Sequence, residues 1–141
     1  PKYDLLAVAR DTRDVYGRLA PLLPPMGRED LADAAAIGAS GLYHAAVHTY
    51  LYAPREQWPG FLQNAYKGAF FTLRALHELR TGENLRAKRE LLPRLEGDER
   101  EILAYSLSPG GEPPEATFAR LLRWSAAAMA WAQKAEHANI P

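Results

Sequence analysis

Apolar side chains recur every three to four positions along most of this chain, the period of a helix buried on one side, and no stretch alternates as a half-buried strand does. Prolines and glycines cut the pattern into segments. The spacing predicts a first helix over about Tyr3 to Leu19, stopped by Pro21-Leu22-Leu23-Pro24-Pro25, because proline lacks the N–H that a helix interior needs. A second is predicted over Arg28 to Tyr52 and a third over Arg55 to Arg80, with Pro59 in its first turn and Thr81-Gly82 as its stop. Shorter helices follow over Leu85 to Leu92 and Asp98 to Leu107. After the loop Pro109-Gly110-Gly111-Glu112-Pro113-Pro114, a last one spans Glu115 to His137. With short connections and no strand pattern, the expected fold is all-α: an antiparallel up-and-down bundle of five to six helices.

The stripes on these helices differ in kind. The second carries mainly small residues, Leu31, Ala34, Ala35, Gly38, Leu42, Ala45 and Thr49, which allow a neighbouring helix to come close. The third offers Phe61, Leu62, Ala65, Ala69, Leu73, Leu76 and Leu79. The last offers Phe118, Leu121, Leu122, Ala126, Met129 and Ala132, with Trp124 and Trp131 on a flanking line. At 141 residues and 48% apolar content there is material for one core, so residues 1–141 read as one domain.

Charge excludes some partners. With 17 basic and 17 acidic side chains the formal net charge is zero, so no whole-molecule field draws the chain to DNA or to an anionic membrane, and such a partner would need a local patch. There is no cysteine, which removes disulfides, thiolate metal sites and a cysteine nucleophile. No signal peptide or membrane-spanning run is visible, and a cytoplasmic location is expected. The missing initial Met leads to the expectation of a trimmed or mature fragment.

Two groups of residues could carry chemistry. His44 and His48 lie one helical turn apart on one face, a spacing that a metal can bridge; a third ligand would have to be His77, His137 or a carboxylate such as Glu78. The plainer reading makes them surface residues beside Tyr43, Tyr50 and Tyr52. Arg74, His77 and Arg80 are spaced by three, with Lys67 two turns earlier and Arg86, Lys88 and Arg89 just after the Thr81-Gly82 break. Together they could meet a phosphate, or they form a solvated face with Glu83, Glu90 and Glu96. Phosphate-binding glycine loops, the Gly-x-Ser-x-Gly elbow and the His-Glu-x-x-His pair are all absent, so no complete catalytic motif is present.

The run Trp58-Pro59-Gly60-Phe61-Leu62, then Asn64, Leu73-Arg74, Thr81-Gly82-Glu83, Lys88, Leu92-Pro93 and Ile102-Leu103-Ala104-Tyr105 resembles the helical C-terminal half of aminoglycoside adenylyltransferases of the streptomycin and spectinomycin type. About 50 of the 141 residues carry the likeness. The order of features matches, while the interval from lysine to tyrosine is shorter here. The resemblance implies nucleotide binding by Lys88 and Tyr105, with ATP and Mg²⁺ as ligand, and Arg74 of the basic group joins them as a candidate phosphate contact. The lysine would counter phosphate charge and the tyrosine would position the nucleotide. That family keeps its metal-binding aspartates in a preceding α/β domain with a Gly-Ser turn and an Asp-x-Asp pair, and this chain has neither. The implied role is therefore a non-catalytic substrate-binding domain that partners a nucleotidyltransferase domain or subunit, as HEPN-like subunits do, with a homodimer expected. The Arg and His pair of HEPN ribonucleases, four to six residues apart, is missing. The rivals are a metal-dependent helical-bundle enzyme using His44 and His48, and a structural or regulatory interaction module that dimerises.

Overall fold

The computed structural model describes residues 20–25 and 27–138, and before them the isolated positions 8, 11, 13, 17 and 18. Apart from those positions, the helix expected from Tyr3 to Leu19 lies outside the described residues. Within them are five α-helices and no strand: α1 (Arg28–Tyr52), α2 (Trp58–Thr81), α3 (Lys88–Leu91), α4 (Gly97–Leu107) and α5 (Pro114–His137). Single 3₁₀ turns occupy Ala20–Leu22, Arg55–Gln57 and Leu92–Arg94. The short helix expected from Leu85 is thus one turn that begins at Lys88, and Pro93 sits in the tighter turn after it.

The ends follow local chemistry. The Gly27 N–H donates to Asp30 at 2.9 Å at the start of α1. Pro59 and Pro114 stand in the first turns of α2 and α5, where no N–H is required. Gly82 closes α2 in the left-handed region (φ 77°), its N–H donating to Glu78 O at 2.7 Å.

Contacts fix the directions of the helices. Arg28 donates to Leu79 O (2.6 Å), and the Tyr50 and Trp58 rings stack at 5.2 Å, so α1 and α2 run antiparallel. Tyr66 meets Tyr105 while Arg80 meets Glu99, which sets α4 antiparallel to α2. Arg123 with Asp98 and Arg120 with Glu101 do the same for α4 and α5. The four long helices therefore form the up-and-down bundle that the periodicity predicts, with α1 packed most extensively on α5.

The core is Leu62, Tyr66, Leu73, Leu76, Leu91, Ile102, Leu103, Phe118, Leu121 and their neighbours. At one end Tyr50, Trp58, Phe61 and Phe118 gather with ring centroids 5.1–5.8 Å apart. Two expected faces are turned from their predicted positions. On α1 the buried residues are Ala32, Ala35, Ala39 and Ala46, while Ala45 is exposed. On α5 the buried line runs through Thr117, Phe118, Leu121, Trp124, Ser125, Ala128 and Ala132, so Trp124 belongs to the core. On α1 every buried residue is alanine, which lets α2 and α5 pack closely against it, whereas the buried line of α5 mixes Phe118, Leu121 and Trp124 with Ser125, Ala128 and Ala132.

Candidate functional site

α2 is surrounded on all sides over a quarter of its length: Thr72, Leu73, Arg74, Ala75, Leu76 and His77 are consecutive and all buried. The expected solvated face through Arg74 and His77 is consequently turned inward; Arg80 alone of the three is exposed. The reason lies in what covers it. After Gly82 the chain folds back over α2, and Asp11 reaches in from the N-terminal segment.

Tyr66, Phe70 and Arg74 are spaced by four along α2 and form one stripe, successive members rising about 6 Å. Each position meets one feature named above. Tyr105 lays its ring against Tyr66 (centroids 4.7 Å, 61°), Lys88 Nζ stands 5.8 Å from the centre of Phe70, and Arg74 is itself the third. The three residues carried by the resemblance are thus drawn onto one side of α2.

They differ in what they have left to offer. Arg74 is 3% exposed; it grips Asp11 bidentately at 2.6 and 2.8 Å and donates to Asn84 Oδ1 at 3.0 and 3.3 Å. Its guanidinium ties the N-terminal segment and the 82–87 turn to α2. Tyr105 is half-buried, packed on a Tyr66 whose hydroxyl donates to Thr117 O at 2.7 Å and whose pKa is raised by burial. Lys88 is half-buried too. Its pKa is lowered, first by burial and then by the neighbouring charge of Lys67. Among the described residues neither lysine has a carboxylate partner, whereas Arg55, Arg80, Arg94, Arg120 and Arg123 all do.

One helical turn after Lys67 stands Phe71, 56% exposed, its ring 5.5 Å from that of Phe70. Gly68, one residue after Lys67, leaves open space where a Cβ would be. Lys88 thus lies over Phe70 and feels the charge of Lys67, while the exposed Phe71 follows Lys67 by one helical turn; ammonium groups and an exposed ring on one side of α2 can take an anion attached to a flat ring. Sequence reading missed Phe71; its four-residue spacing from the exposed Lys67 was the available signal.

The other candidates are placed differently. His77 Nε2 is 2.9 Å from Glu83 Oε1, and Glu83 also binds Arg94 at 3.0 Å. His77 and Arg94 border a surface cleft of about 420 Å³ lined also by Arg80, Thr81, Asp98 and Glu99. Arg80 there is clamped by Glu99, and its guanidinium lies 4.8 Å from the centre of Trp131. His44 and His48 are exposed on α1, with the His48 ring 5.1 Å from Tyr52. Neither His77, His137 nor Glu78 joins them: among the described residues no three His, Asp or Glu side chains gather to hold a metal. That finding also leaves no carboxylate cage for Mg²⁺ on this surface. No helix among the described residues is long and apolar enough to cross a membrane.

Compared with known proteins, the chain matches no family model, no curated protein and no solved structure.

Proposed function

We propose that this chain is a non-catalytic helical domain that binds a nucleotide, or a substrate bearing phosphate, in concert with a nucleotidyltransferase catalytic domain or subunit. The observation that carries the reading is the pair Lys67 and Lys88, without acidic partners among the described residues, with the exposed Phe71 one helical turn after Lys67. Two like charges held near each other are relieved by an anion between them. A base or sugar face can rest on Phe71 while the phosphates meet the ammonium groups. The order of features from Trp58 to Tyr105, shared with the adenylyltransferase helical half, supports the same face. Mg²⁺ would arrive on the nucleotide phosphates and be held further by the partner, since among the described residues no three carboxylate or imidazole side chains gather for it. The chain's own part is to bind, orient and exclude water.

The reading is tested by calorimetry and thermal shift with ATP–Mg²⁺ and with inorganic triphosphate. A ligand that binds the native state raises its melting temperature by mass action. Each lost charge-assisted contact removes about 1.5–3 kcal/mol, so Lys88→Ala is expected to weaken binding roughly tenfold or more. Phe71→Ala should weaken ATP and leave triphosphate unchanged. A folded wild-type protein that takes up neither ligand, or a double variant Lys67→Ala/Lys88→Ala that binds as well as wild type, would end the proposal.

A further inference from the structure

From Ala34 to Pro54 the chain carries no Asp, Glu, Lys or Arg, although 24% of its residues are of these types. Part of this stretch faces the core; the rest is the outer face of α1. There Ile37 is 70% exposed, Leu51 60% and Tyr52 74%, and Gly41, His44, Ala45 and His48 are exposed with them. A solvent-facing helix side this poor in charge is unusual in a protein otherwise rich in it.

Two glycines on α1 behave differently. At Gly38 a Cβ would fall 2.3 Å from the Thr72 hydroxyl, so packing against α2 requires the glycine. At Gly41 a Cβ would meet nothing within 4 Å. Glycine inside a helix costs about 0.5–1 kcal/mol relative to alanine, and no contact among the described residues accounts for it here.

We infer that this outer face receives a second copy of the chain, and that His44 and His48 of both copies together form a four-imidazole site for a divalent metal such as Zn²⁺. The face is complementary to itself under one two-fold operation. An axis passing between His44 and His48 sets His44 of one copy opposite His48 of the other. It also sets the large Leu51 and Tyr52 opposite the small Gly41 and Ser40. Ala45, beside the axis, lets the two helices approach to the 8–10 Å of close-packed pairs. Each chain contributes two imidazoles one turn apart, and zinc takes four ligands in a tetrahedron, so a single copy leaves the site half complete. The inference is independent of the nucleotide reading, which concerns α2.

Untagged protein stripped of metal is examined by light scattering during gel filtration, with EDTA and with ZnCl₂. The expected result is a mass that doubles with zinc, one zinc per two chains by elemental analysis, and the strong visible absorption of tetrahedral cobalt when Co²⁺ replaces it. His44→Ala and His48→Ala, both at exposed positions, should each abolish the doubling with helicity unchanged. Gly41→Leu should block it with both histidines intact. A mass unaffected by zinc, metal bound at one per chain without doubling, or a dimer that forms equally well in both histidine variants would overturn the inference.

Discussion

A lysine half-buried beside another lysine holds its proton less firmly than a solvated one, and Lys88 is so placed. Its charge is what an anion would meet. As pH rises through the lowered pKa of Lys88, below the ordinary lysine range, that charge is lost and the melting-temperature increment given by ATP should shrink. In Lys88→Arg, whose side chain stays protonated, the increment should persist across the same interval. For the protein without ligand the sign is reversed: the unfolded chain binds the extra proton in this interval, so this group's contribution to stability rises with pH. The buried hydroxyl of Tyr66 has a structural task, donating to Thr117 O. Tyr66→Phe should cost about 1 kcal/mol in urea unfolding, with no change in triphosphate binding.

Between helices, the α1–α2 crossing depends on a missing Cβ. Gly38→Ala would drive a methyl group into the Thr72 side chain, which is itself buried. The expected destabilisation is about 1–3 kcal/mol despite alanine's better helix propensity. Much of it should be recovered when Thr72→Ala removes the nearest atom, a coupling that a double-mutant cycle in denaturant measures directly. The need for small residues on α1 was legible in the sequence as a stripe of Ala and Gly. Its angular position was not, because alanines occur at nearly every turn of α1 and a period read from them has no sharp phase. The core line of α2 was legible, since Leu62, Ala65, Ala69, Leu73, Leu76 and Leu79 stand out from Lys67, Gln63 and Asn64 and are all buried, with Phe61 partly so; its polar side was not, because Arg74 and His77 are buried as well.

Across the whole molecule, α4 and α5 are joined by arginine–carboxylate pairs: Arg123 with Asp98 at 2.7 Å, and Arg120 with Glu101 and Glu112 at 3.0 and 2.6 Å. The guanidinium groups hold the pKa values of Asp98 and Glu112 below the usual carboxylate range. Groups shifted this way stabilise the fold above their unfolded pKa, and the contribution is lost as pH falls through the folded value. Stability should therefore decline steeply only below the ordinary carboxylate range, and Glu112→Gln should flatten part of that decline in melting temperature measured against pH. The sequence by itself determined the helical class, the number and approximate ends of the described long helices, and the up-and-down order, since periodicity and the Pro and Gly breaks are local properties of the chain. Only the tertiary structure decided which charged residues are available to a ligand. Arg74 and Lys88 look alike as basic residues near one turn. Yet Arg74 is enclosed by Asp11 and Asn84, far from it in sequence or across the turn, while Lys88 is left near Lys67 and over the ring of Phe70. Ion pairs and burial depend on what the fold lays against a side chain, and that neighbour is not written in the side chain's own segment.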